Sequence, residues 1–540
     1  MELTRRKFVK SSFLPIFVGV LTGSRVALGA SVPFTAAGAL AQAIDDAPAN
    51  TVLIVPDKTL TLTAPITING KINLTLQAEK TIVRSDSTRL EYYFLICGSS
   101  RNIKFDGFDF DMRQADMPTY SQADYDANKI FNCCISVTDS TVGVEVVNCT
   151  FKNLYTNAIY FKNSSDLTVD SCKFYSLVQT QQLRAEHIAI LTFGGINSIR
   201  NCEFFNTAHT TPAVGVGCVL YSGMANGASL ELANLYSEYA GRDNTGAHRV
   251  AAFDGYSDLE NVHATNITCE NNLGMFMRLS GLHNGSVRDS RCRWNANAEL
   301  GYAGVAMEGF DFGGTPRKGI RDIHIDNVEI DDPSSRLEYA FGISAYDWGA
   351  PSERIKITDC SMVGVKRLVL LTGPYHDITI ESLSSRDGQG LVNVLLQPAG
   401  GSLTAVHGVE ADARFDNLII RENVIRQTSN SIPISLDFFR KGGTTAAIGK
   451  ILIEDNDITA NSGSAAFAAI SVQIYSASGE GGDVIVRGNR SQGFNSDWYM
   501  RGIDSVTVTG NKSVGATGNP YVGSDNESTI RRGNIYTDGN

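Results

Sequence analysis

The sequence predicts an all-β protein, a single-stranded right-handed parallel β-helix with an N-terminal capping helix. The first observation behind this prediction is a short phrase that recurs along the chain. It reads apolar-x-apolar, then Asp, Asn, Ser or Gly, then Asn or Cys. Its copies are VEVVNCTF, LTVDSCKF, SIRNCEF, IHIDNVEI, IKITDCSM, LIIRENVI, ILIEDNDI, VIVRGNRS and VTVTGNKS. Each copy alternates apolar and polar residues over a few positions, which is the period of a β-strand.

The spacing of the phrase is the second observation. Four consecutive Asn positions are 33, 33 and 22 residues apart: Asn423, Asn456, Asn489 and Asn511. Asn327 and Cys360 are again 33 residues apart, and Cys149 and Cys172 are 23 apart. A repeat near this length is typical of coils of short strands that stack into one continuous core. Equivalent side chains then lie about 4.8 Å apart along the axis.

The Asn/Cys position is predicted to be an inward-facing turn position. Asn side chains there are expected to hydrogen-bond to the Asn of the coil above and below. Four of the ten cysteines fall at this position and are predicted to act as small buried apolar residues: Cys149, Cys172, Cys202 and Cys360. A disulfide between neighbours such as Cys149 and Cys172 is the alternative, although it would distort the strand spacing. The sequence has no Cys-x-x-Cys, so we expect no structural metal.

The N-terminal residues 1–30 are predicted to be an export signal. MELTRRKFVK is basic, SSFLPIFVGVLTG is apolar and SRVALGA ends in small residues. The segment Thr4–Lys10 matches the twin-arginine pattern, so we expect the twin-arginine export machinery as a partner and a periplasmic or secreted bacterial protein. The alternative is a general secretory signal that contains two arginines. The apolar stretch is too short to anchor the chain in a membrane.

The predicted cap occupies residues 31–50, where FTAAGALAQAIDDA reads as an amphipathic helix, and the β-helix occupies 51–515. A polar C-terminal tail is predicted for 516–540. The first predicted coil, TVLIVPDKTLTLTAPITINGKINLTLQAEKTIV (Thr51–Val83), resembles first coils of the pectin-lyase-like β-helix superfamily. The overall plan is similar to that of the β-helix protein family found in colanic acid gene clusters. That superfamily includes lyases, hydrolases, epimerases and phage tailspikes, so the resemblance implies the fold but no single activity.

The charge balance favours a glycan partner over nucleic acid. The chain has 46 basic and 57 acidic residues. Without the five basic and one acidic residue of the signal, 41 and 56 remain, a net charge of −15. Nucleic-acid binding needs a basic surface. A neutral or mixed polysaccharide fits this balance better than a dense polyanion.

Two segments on consecutive predicted coils carry the leading catalytic candidates. GVAMEGFDFGGTPRKG contains Glu308 and Asp311, and FGISAYDWGAP contains Asp347 between Tyr346 and Trp348. Glycoside hydrolysis requires two carboxyl groups, about 5 Å apart for retention or about 6.5–9.5 Å for inversion. We therefore predict Glu308 and Asp347 as the catalytic pair, with Asp311 as substitute for either and the two aromatic side chains as a sugar platform. Alternatively, these acids are solvated turn residues.

A third segment, ISLDFFRKGG, places Asp437 at the position of Glu308 on a more distant coil and adds Arg440. The separation is about four coils, or roughly 19 Å. Asp437 and Arg440 are therefore predicted to bind sugar further along a groove rather than to act on the same bond.

A separate set of residues suits elimination. His248, Arg249 and Arg278 supply a base and a cation for a uronate carboxylate, and Ca²⁺ would be a cofactor of such a lyase. The simpler interpretation is that they pair with Asp243 and Asp254 to order a loop. Three functions thus remain: a polysaccharide hydrolase as the first choice, a uronate lyase or epimerase, and a non-catalytic periplasmic polysaccharide-binding protein in exopolysaccharide synthesis or export. The sequence lacks the Asn-Thr-Asp, Asp-Asp and Gly-His-Gly series of polygalacturonases and the Trp-Ile-Asp-His segment of pectate lyases.

Overall fold

A computed structural model gives the structure of the chain. The predicted export signal, residues 1–30, lies outside the described residues. The residues that the structure describes are 37–55, 57–78, 80–85, 90–112, 133–154, 157–162, 164–176, 187–206, 216–222, 229–241, 251–256, 259–295, 301–309, 319–345, 351–388, 390–395, 414–427, 431–439, 447–460, 467–475, 481–524, 526 and 528–537.

One helix, α1, covers Ala37–Asp46. Leu40 and Ile44, one turn apart, are fully buried, because residues four apart share a helix face. The helix contacts the first three strands. It therefore closes the first coil, as the capping helix predicted from the sequence does.

The strands, numbered along the chain, form three parallel ladders. The first ladder contains β1 Thr51–Val55, β4 Ile72–Ala78, β7 Arg101–Asp106, β10 Val142–Val147, β13 Ser165–Asp170, β16 Ile196–Arg200, β27 Ser352–Thr358, β30 Tyr375–Glu381, β33 Arg414–Arg421, β36 Ala447–Ile448, β37 Lys450–Glu454, β40 Asp483–Arg487, β43 Ser505–Thr509 and β46 Ser528–Arg532. The second contains β2 Thr59–Leu62, β5 Ile82–Ser85, β8 Asp109–Asp111, β11 Thr150–Leu154, β14 Lys173–Ser176, β17 Glu203–Asn206, β28 Ser361–Val363, β31 Ser384–Gly388, β34 Val424–Gln427, β38 Asp457–Ala460, β41 Arg490–Gln492, β44 Lys512–Val514 and β47 Ile535–Thr537.

Four longer strands pass through both of these ladders without a break: β19 Ser229–Glu238, β21 Glu260–Asn272, β23 His283–Trp294 and β25 Arg321–Asp331. The third ladder contains β3 Ile66–Asn69, β6 Tyr92–Cys97, β9 Cys133–Val137, β12 Asn157–Phe161, β15 His187–Phe193, β18 Val216–Ser222, β20 Phe253–Tyr256, β22 Met277–Ser280, β24 Gly301–Gly309, β26 Leu337–Ala345, β29 Arg367–Thr372, β32 Gly390–Leu395, β35 Ile434–Phe439, β39 Ala468–Tyr475, β42 Ser496–Arg501 and β45 Tyr521–Ser524.

The chain visits the three ladders in turn, so each coil pairs with the coil before and after it. The first two ladders join into one sheet of 31 described strands, and the third is a separate sheet of 16. Their pairings are parallel, for example β10 with β13 and β24 with β26. This arrangement confirms the predicted right-handed parallel β-helix.

Stacked side chains inside the coils show the rung spacing directly. Phe110, Phe151, Phe174 and Phe204 lie on successive coils with ring centroids 4.9, 4.9 and 4.8 Å apart and interplanar angles of 9° or less. These values match the spacing of neighbouring strands, about 4.8 Å. Every coil thus adds one layer to a continuous apolar core.

The corner between the first and second ladders explains the recurring phrase. The corner consists of two residues, and the first of them, directly before the Asn/Cys position, has a positive φ, for example 53° at Asn148, 53° at Asp359 and 54° at Asp455. Asn, Asp and Gly tolerate this left-handed conformation best, which is why they precede the Asn/Cys position. The next residue then points into the core, as Cys149 and Asn456 do.

The buried Asn side chains form a continuous hydrogen-bonded ladder. The Nδ2 atoms of Asn423, Asn456, Asn489 and Asn511 donate to the Oδ1 atom of the next Asn at 2.8, 2.8, 3.0 and 3.1 Å, ending at Asn534. Each Oδ1 also accepts the backbone N–H of the preceding Asn at 2.8–3.1 Å. Each of the four Nδ2 atoms also donates to a backbone carbonyl oxygen. The predicted Asn ladder is confirmed.

Asn327 was expected at the buried position and is one residue away from it. Its φ is 51°, and its Nδ2 donates to Asp289 Oδ1 at 2.7 Å on the outside of the coil. Val328 takes the buried position, and its backbone N–H lies 3.4 Å from Cys360 Sγ. The sequence misleads here because Asn suits both the left-handed corner residue and the buried residue after it.

All ten cysteines lie within the described residues, and all are free thiols. Thr150 pairs with Lys173, and Lys173 with Glu203, so Cys149, Cys172 and Cys202 stack on consecutive coils. Burial raises the pKa of the Cys360 thiol to about 12. These cysteines therefore pack as small apolar side chains at the corner, as the sequence predicts.

The coils continue past residue 515, where a polar tail was expected. Strands β45, β46 and β47 carry the three ladders to Thr537. These strands pair in parallel with β42, β43 and β44 of the coil before them. Three large apolar side chains of this coil, Ile530, Ile535 and Tyr536, are 49%, 57% and 48% exposed.

We expect Asn456→Ala to lower the free energy of unfolding by about 2 to 5 kcal/mol, because it leaves the backbone N–H and one of the two Nδ2 hydrogens of the buried Asn423 without an acceptor. Asn417→Gly is the matched control. It removes an exposed hydrogen bond to Asp377 at a positive-φ position, and its effect should stay within about 1 kcal/mol. Urea unfolding followed by circular dichroism measures both. Equal losses in the two variants would contradict a special role for the buried ladder.

Candidate functional site

The outer face of the third ladder presents two neighbouring columns of side chains, set by the strand register. The middle column runs through Asp254, Arg278, Ala306, Gly342, Leu370, Asn393, Ser435, Ser471 and Tyr499. The edge column, two residues further along each strand, runs through Ser280, Glu308, Ser344, Thr372, Leu395, Asp437, Gln473, Arg501 and Ser524. The two columns share a face because side chains two apart in a strand point the same way.

Glu308 lies in the edge column on β24, in register with Ser280 and Ser344. Its backbone is described and its side chain is not. The other predicted residues of this region and of the elimination set lie outside the described residues: His248, Arg249, Asp311, Tyr346, Asp347, Trp348 and Arg440.

Asp437 lies in the same column as Glu308, four register steps away, as the sequence spacing predicts. Four steps correspond to about 19 Å. Glu308 is 20 residues before the buried corner residue Val328, whereas Asp437 is 19 before Asn456. The register still agrees, since the segments that follow the two strands differ in length.

The face around Glu308 is covered rather than open to water. Ala306 and Leu370 of the middle column are 0% and 3% exposed, and they belong to a small apolar cluster separate from the core. Ser280 and Thr372 of the edge column are 2% and 5% exposed. The Thr372 hydroxyl is buried without a hydrogen-bond partner. Burial of such a group is costly unless something pairs with it.

Arg278 forms a bidentate ion pair with Asp254 on the neighbouring strand. Its Nε and Nη2 atoms lie 2.9 and 2.6 Å from the two carboxylate oxygens. The side chains are 12% and 3% exposed. Burial raises the pKa of Asp254, while the Arg278 guanidinium and the backbone N–H groups of Ala251 and Gly255 oppose that rise. Arg278, predicted as a substrate cation, is therefore engaged within the protein in the way the simpler interpretation expects.

The carboxyl of Asp437 is half-buried and accepts a hydrogen bond from Ser435 Oγ at 2.8 Å. Burial raises the pKa of Asp437, and the Ser435 hydroxyl opposes part of that rise. On the next strand Gln473 lies beside Asp437, and its Nε2 donates to Ser471 Oγ at 3.1 Å. Arg501 follows Gln473 in register.

Sequence reasoning missed Thr372, Gln473, Tyr499 and Arg501. The strands with LLT and SVQIY carry neither the corner phrase nor an acid beside an aromatic residue, and in DWYMR the acid beside an aromatic residue stands near the start of the strand rather than at its end. The signal that identifies them is the register itself, once Asp437 has been placed. Counting inward and outward positions along each strand from that point gives the edge column.

The other outer faces are occupied by ion pairs. In the first ladder Arg421 pairs with Glu381 at 2.9 Å and Arg487 with Glu454 at 2.5 Å. Acidic and basic residues alternate along this column from coil to coil, and Glu454 within it is only 8% exposed. In the part of the chain that the structure describes, no three His, Cys, Asp or Glu side chains converge as a metal site. Nor does any helix in that part have the length and apolar character to cross a membrane.

No protein-family model matches the sequence, and no curated protein sequence matches it either. Solved structures do match. An exopolygalacturonase from Thermotoga maritima has 12% identity over 64% of this chain and 84% of its own, with a TM-score of 0.35. A tailspike protein mutant of E. coli bacteriophage HK620 in complex with a pentasaccharide has 12% identity over 90% and 72%, with a TM-score of 0.37. The A-module of a mannuronan C-5 epimerase from Azotobacter vinelandii has 10% identity over 90% of both chains, with a TM-score of 0.28. Identities are low and TM-scores stay below 0.5, so the architecture rests on the chain's own strand pairing.

Replacing Arg278 by Ala should lower the free energy of unfolding by about 3 to 5 kcal/mol, because it leaves the Asp254 carboxylate buried without its cation. The control is Arg291→Ala, which removes an exposed ion pair with Glu329 and should cost less than about 1 kcal/mol. The double variant Asp254→Leu/Arg278→Met should recover most of the loss. Urea unfolding midpoints measure all three, and a double variant as unstable as the single one would refute the explanation.

The raised pKa of Asp437 predicts a pH dependence of stability. The folded state binds the proton more tightly than the unfolded chain does, whose Asp pKa is about 3.9. The contribution of the protonated Asp437 carboxyl to folding stability is therefore fully present below the unfolded-state pKa. It is lost as pH rises through the higher pKa of the folded state. Asp437→Asn should match the parent at low pH and exceed its stability at pH 7. Asp483→Asn, at an exposed position, should show no such crossover. Melting temperatures between pH 3 and 8 test this.

Proposed function

We propose that this is an exported bacterial β-helix protein that cleaves glycosidic bonds of an extracellular or capsular polysaccharide on the outer face of its third ladder. Glu308 is the general acid, and Asp347 is the base or nucleophile. Asp311 is the substitute for either, and Tyr346 and Trp348 form a platform for a sugar ring.

The surroundings of Glu308 carry this proposal. Ala306 and Leu370 in the middle column and Ser280 and Thr372 in the edge column are each 5% exposed or less. Glycoside hydrolysis needs one carboxyl group that stays protonated near neutral pH and donates to the leaving-group oxygen, and a site shielded from water is where such a group is usually found.

The second carboxyl is assigned to the segments that leave β24 and β26. The register neighbours of Glu308 on the adjacent strands are Ser280 and Ser344, so neither strand supplies an acid at that level. Asp347 follows Ser344 by three residues on the neighbouring coil, and Asp311 follows Glu308 by three. One of them attacks the anomeric carbon or activates a water molecule, while Glu308 protonates the departing oxygen.

Elimination or epimerisation is less well supported. Either reaction requires a cation for the uronate carboxylate, and the Arg278 guanidinium is already engaged in a bidentate ion pair with Asp254. A lyase using Ca²⁺, or a protein that binds polysaccharide without cleaving it, is distinguished from a hydrolase by the experiment below.

Export through the twin-arginine machinery fits the state of the cysteines. Thiols on adjacent coils, such as Cys149 and Cys172, are free and buried. Disulfides form in oxidising compartments. A chain that folds before export brings these thiols out already shielded, and the twin-arginine route carries folded proteins.

The test is incubation of the protein with xanthan, gellan, succinoglycan and alginate, with reducing ends and unsaturated-uronate absorbance measured together. We expect new reducing ends without that absorbance. Glu308→Gln should lower the rate at least about 100-fold, the usual contribution of a general acid, and Asp347→Asn should do the same if it is the partner.

Glu329→Gln, an exposed acid on the second ladder, is the control and should keep full activity. Melting temperatures of all variants should stay near that of the parent. Absorbance of unsaturated uronate would instead establish elimination, and binding without either product would establish a polysaccharide-binding protein.

A further inference from the structure

The outer face of the third ladder changes character toward its C-terminal coils. Around Glu308 the described side chains are covered, as Thr372 at 5% exposure shows. From β35 onward, Asp437, Gln473 and Arg501 of the edge column are partly exposed. Phe467, just before β39, is 45% exposed. The described side chains of the edge column therefore become more exposed to solvent about four coils from Glu308.

The strand register gathers unlike groups in this region. Asp437, Gln473 and Arg501 follow one another on β35, β39 and β42. Tyr499 lies two residues before Arg501 on the same face of its strand and in register with Ser471. Its ring packs edge-on against Phe467, with centroids 5.2 Å apart and an interplanar angle of 66°. Tyr499 is itself partly exposed.

This combination suits a pyranose ring. A carboxyl, an amide and a guanidinium each present two polar atoms in a plane, which match neighbouring hydroxyl groups on a sugar. The apolar C–H face of the sugar packs on an aromatic ring, which buries a large area at little entropic cost. The region spans three strands, roughly 10 Å. A stable protein interface needs about 800 Å² on each partner, so a narrow polymer is the better occupant.

We propose that Asp437, Gln473, Tyr499 and Arg501, with Phe467 at the rim, form a distal subsite for one pyranose unit of the polysaccharide that reaches Glu308. From Glu308 to Arg501 the column makes six register steps, about 29 Å. The substrate then lies along the helix axis, and its length decides how well it is bound. The link to Glu308 rests on the proposed function, whereas binding at the distal subsite does not.

Binding is tested in the Glu308→Gln background, with xanthan, gellan, succinoglycan and alginate as probes in titration calorimetry. Tyr499→Ala should weaken binding of the recognised polymer about tenfold, the effect of losing one aromatic contact. Tyr499→Phe should bind like the parent. Tyr175→Ala, which removes a 36% exposed ring on the second ladder, is the matched control and should also bind like the parent. Melting temperatures report whether Tyr499→Ala is folded.

Cleavage is tested separately with otherwise unsubstituted protein on size-fractionated fragments. Tyr499→Ala should lower kcat/KM for fragments long enough to span about 29 Å and leave short fragments unchanged. Unaltered polymer binding by Tyr499→Ala, or no binding of any probe by its parent, would overturn the distal subsite even if cleavage at Glu308 is observed. Binding that depends on Tyr499 without any cleavage would keep the subsite and overturn the hydrolase.

Discussion

The corner between the first and second ladders is the constraint on which the rest of the structure depends. One residue adopts a left-handed conformation and the next is buried, and this pair recurs from coil to coil. The buried residue must satisfy its polar atoms or have none, and Asn456 and Cys360 represent the two solutions. Because each Asn binds its neighbours in both directions, the ladder holds adjacent coils in a single register. That register then determines which outward side chains meet.

The functional proposal follows from how the register divides the outer surface. On the first ladder, opposite charges such as Arg487 and Glu454 are brought together and neutralise each other. On the third ladder the same rule aligns Glu308, Asp437 and Arg501 in one column. Part of this column is covered by apolar side chains, which favours proton transfer, and part is accessible, which favours binding. One column can thus carry both a reacting position and a distant contact for the same polymer.

Much of the fold could be predicted from the sequence, because the corner imposes a chemical preference that recurs at nearly constant spacing. The buried Asn ladder, the packed cysteines and the capping helix all follow from that preference. Asn327 was misplaced by one residue since Asn satisfies either corner position, and the last coil was taken for a tail because its outer surface is polar. Gln473, Tyr499 and Arg501 could not be identified in advance, as a place on an outer face leaves no periodic trace in the residue types. The engagement of Arg278 by Asp254 is likewise a property of packing.

The Asn ladder also has a direction. In each Asn–Asn hydrogen bond the donors, the Nδ2–H and the backbone N–H, belong to the N-terminal residue and the acceptor Oδ1 to the C-terminal one, as Asn456 and Asn489 illustrate. Replacing any of these Asn residues therefore leaves buried N–H groups of the preceding Asn without an acceptor. The following Asn keeps its own acceptors, and only its Oδ1 atom loses hydrogen-bond donors. Orphaned buried N–H groups are tolerated less well than orphaned carbonyl oxygens. The Asn ladder is thus directional, and a substitution in one coil destabilises the coil before it more than the coil after it.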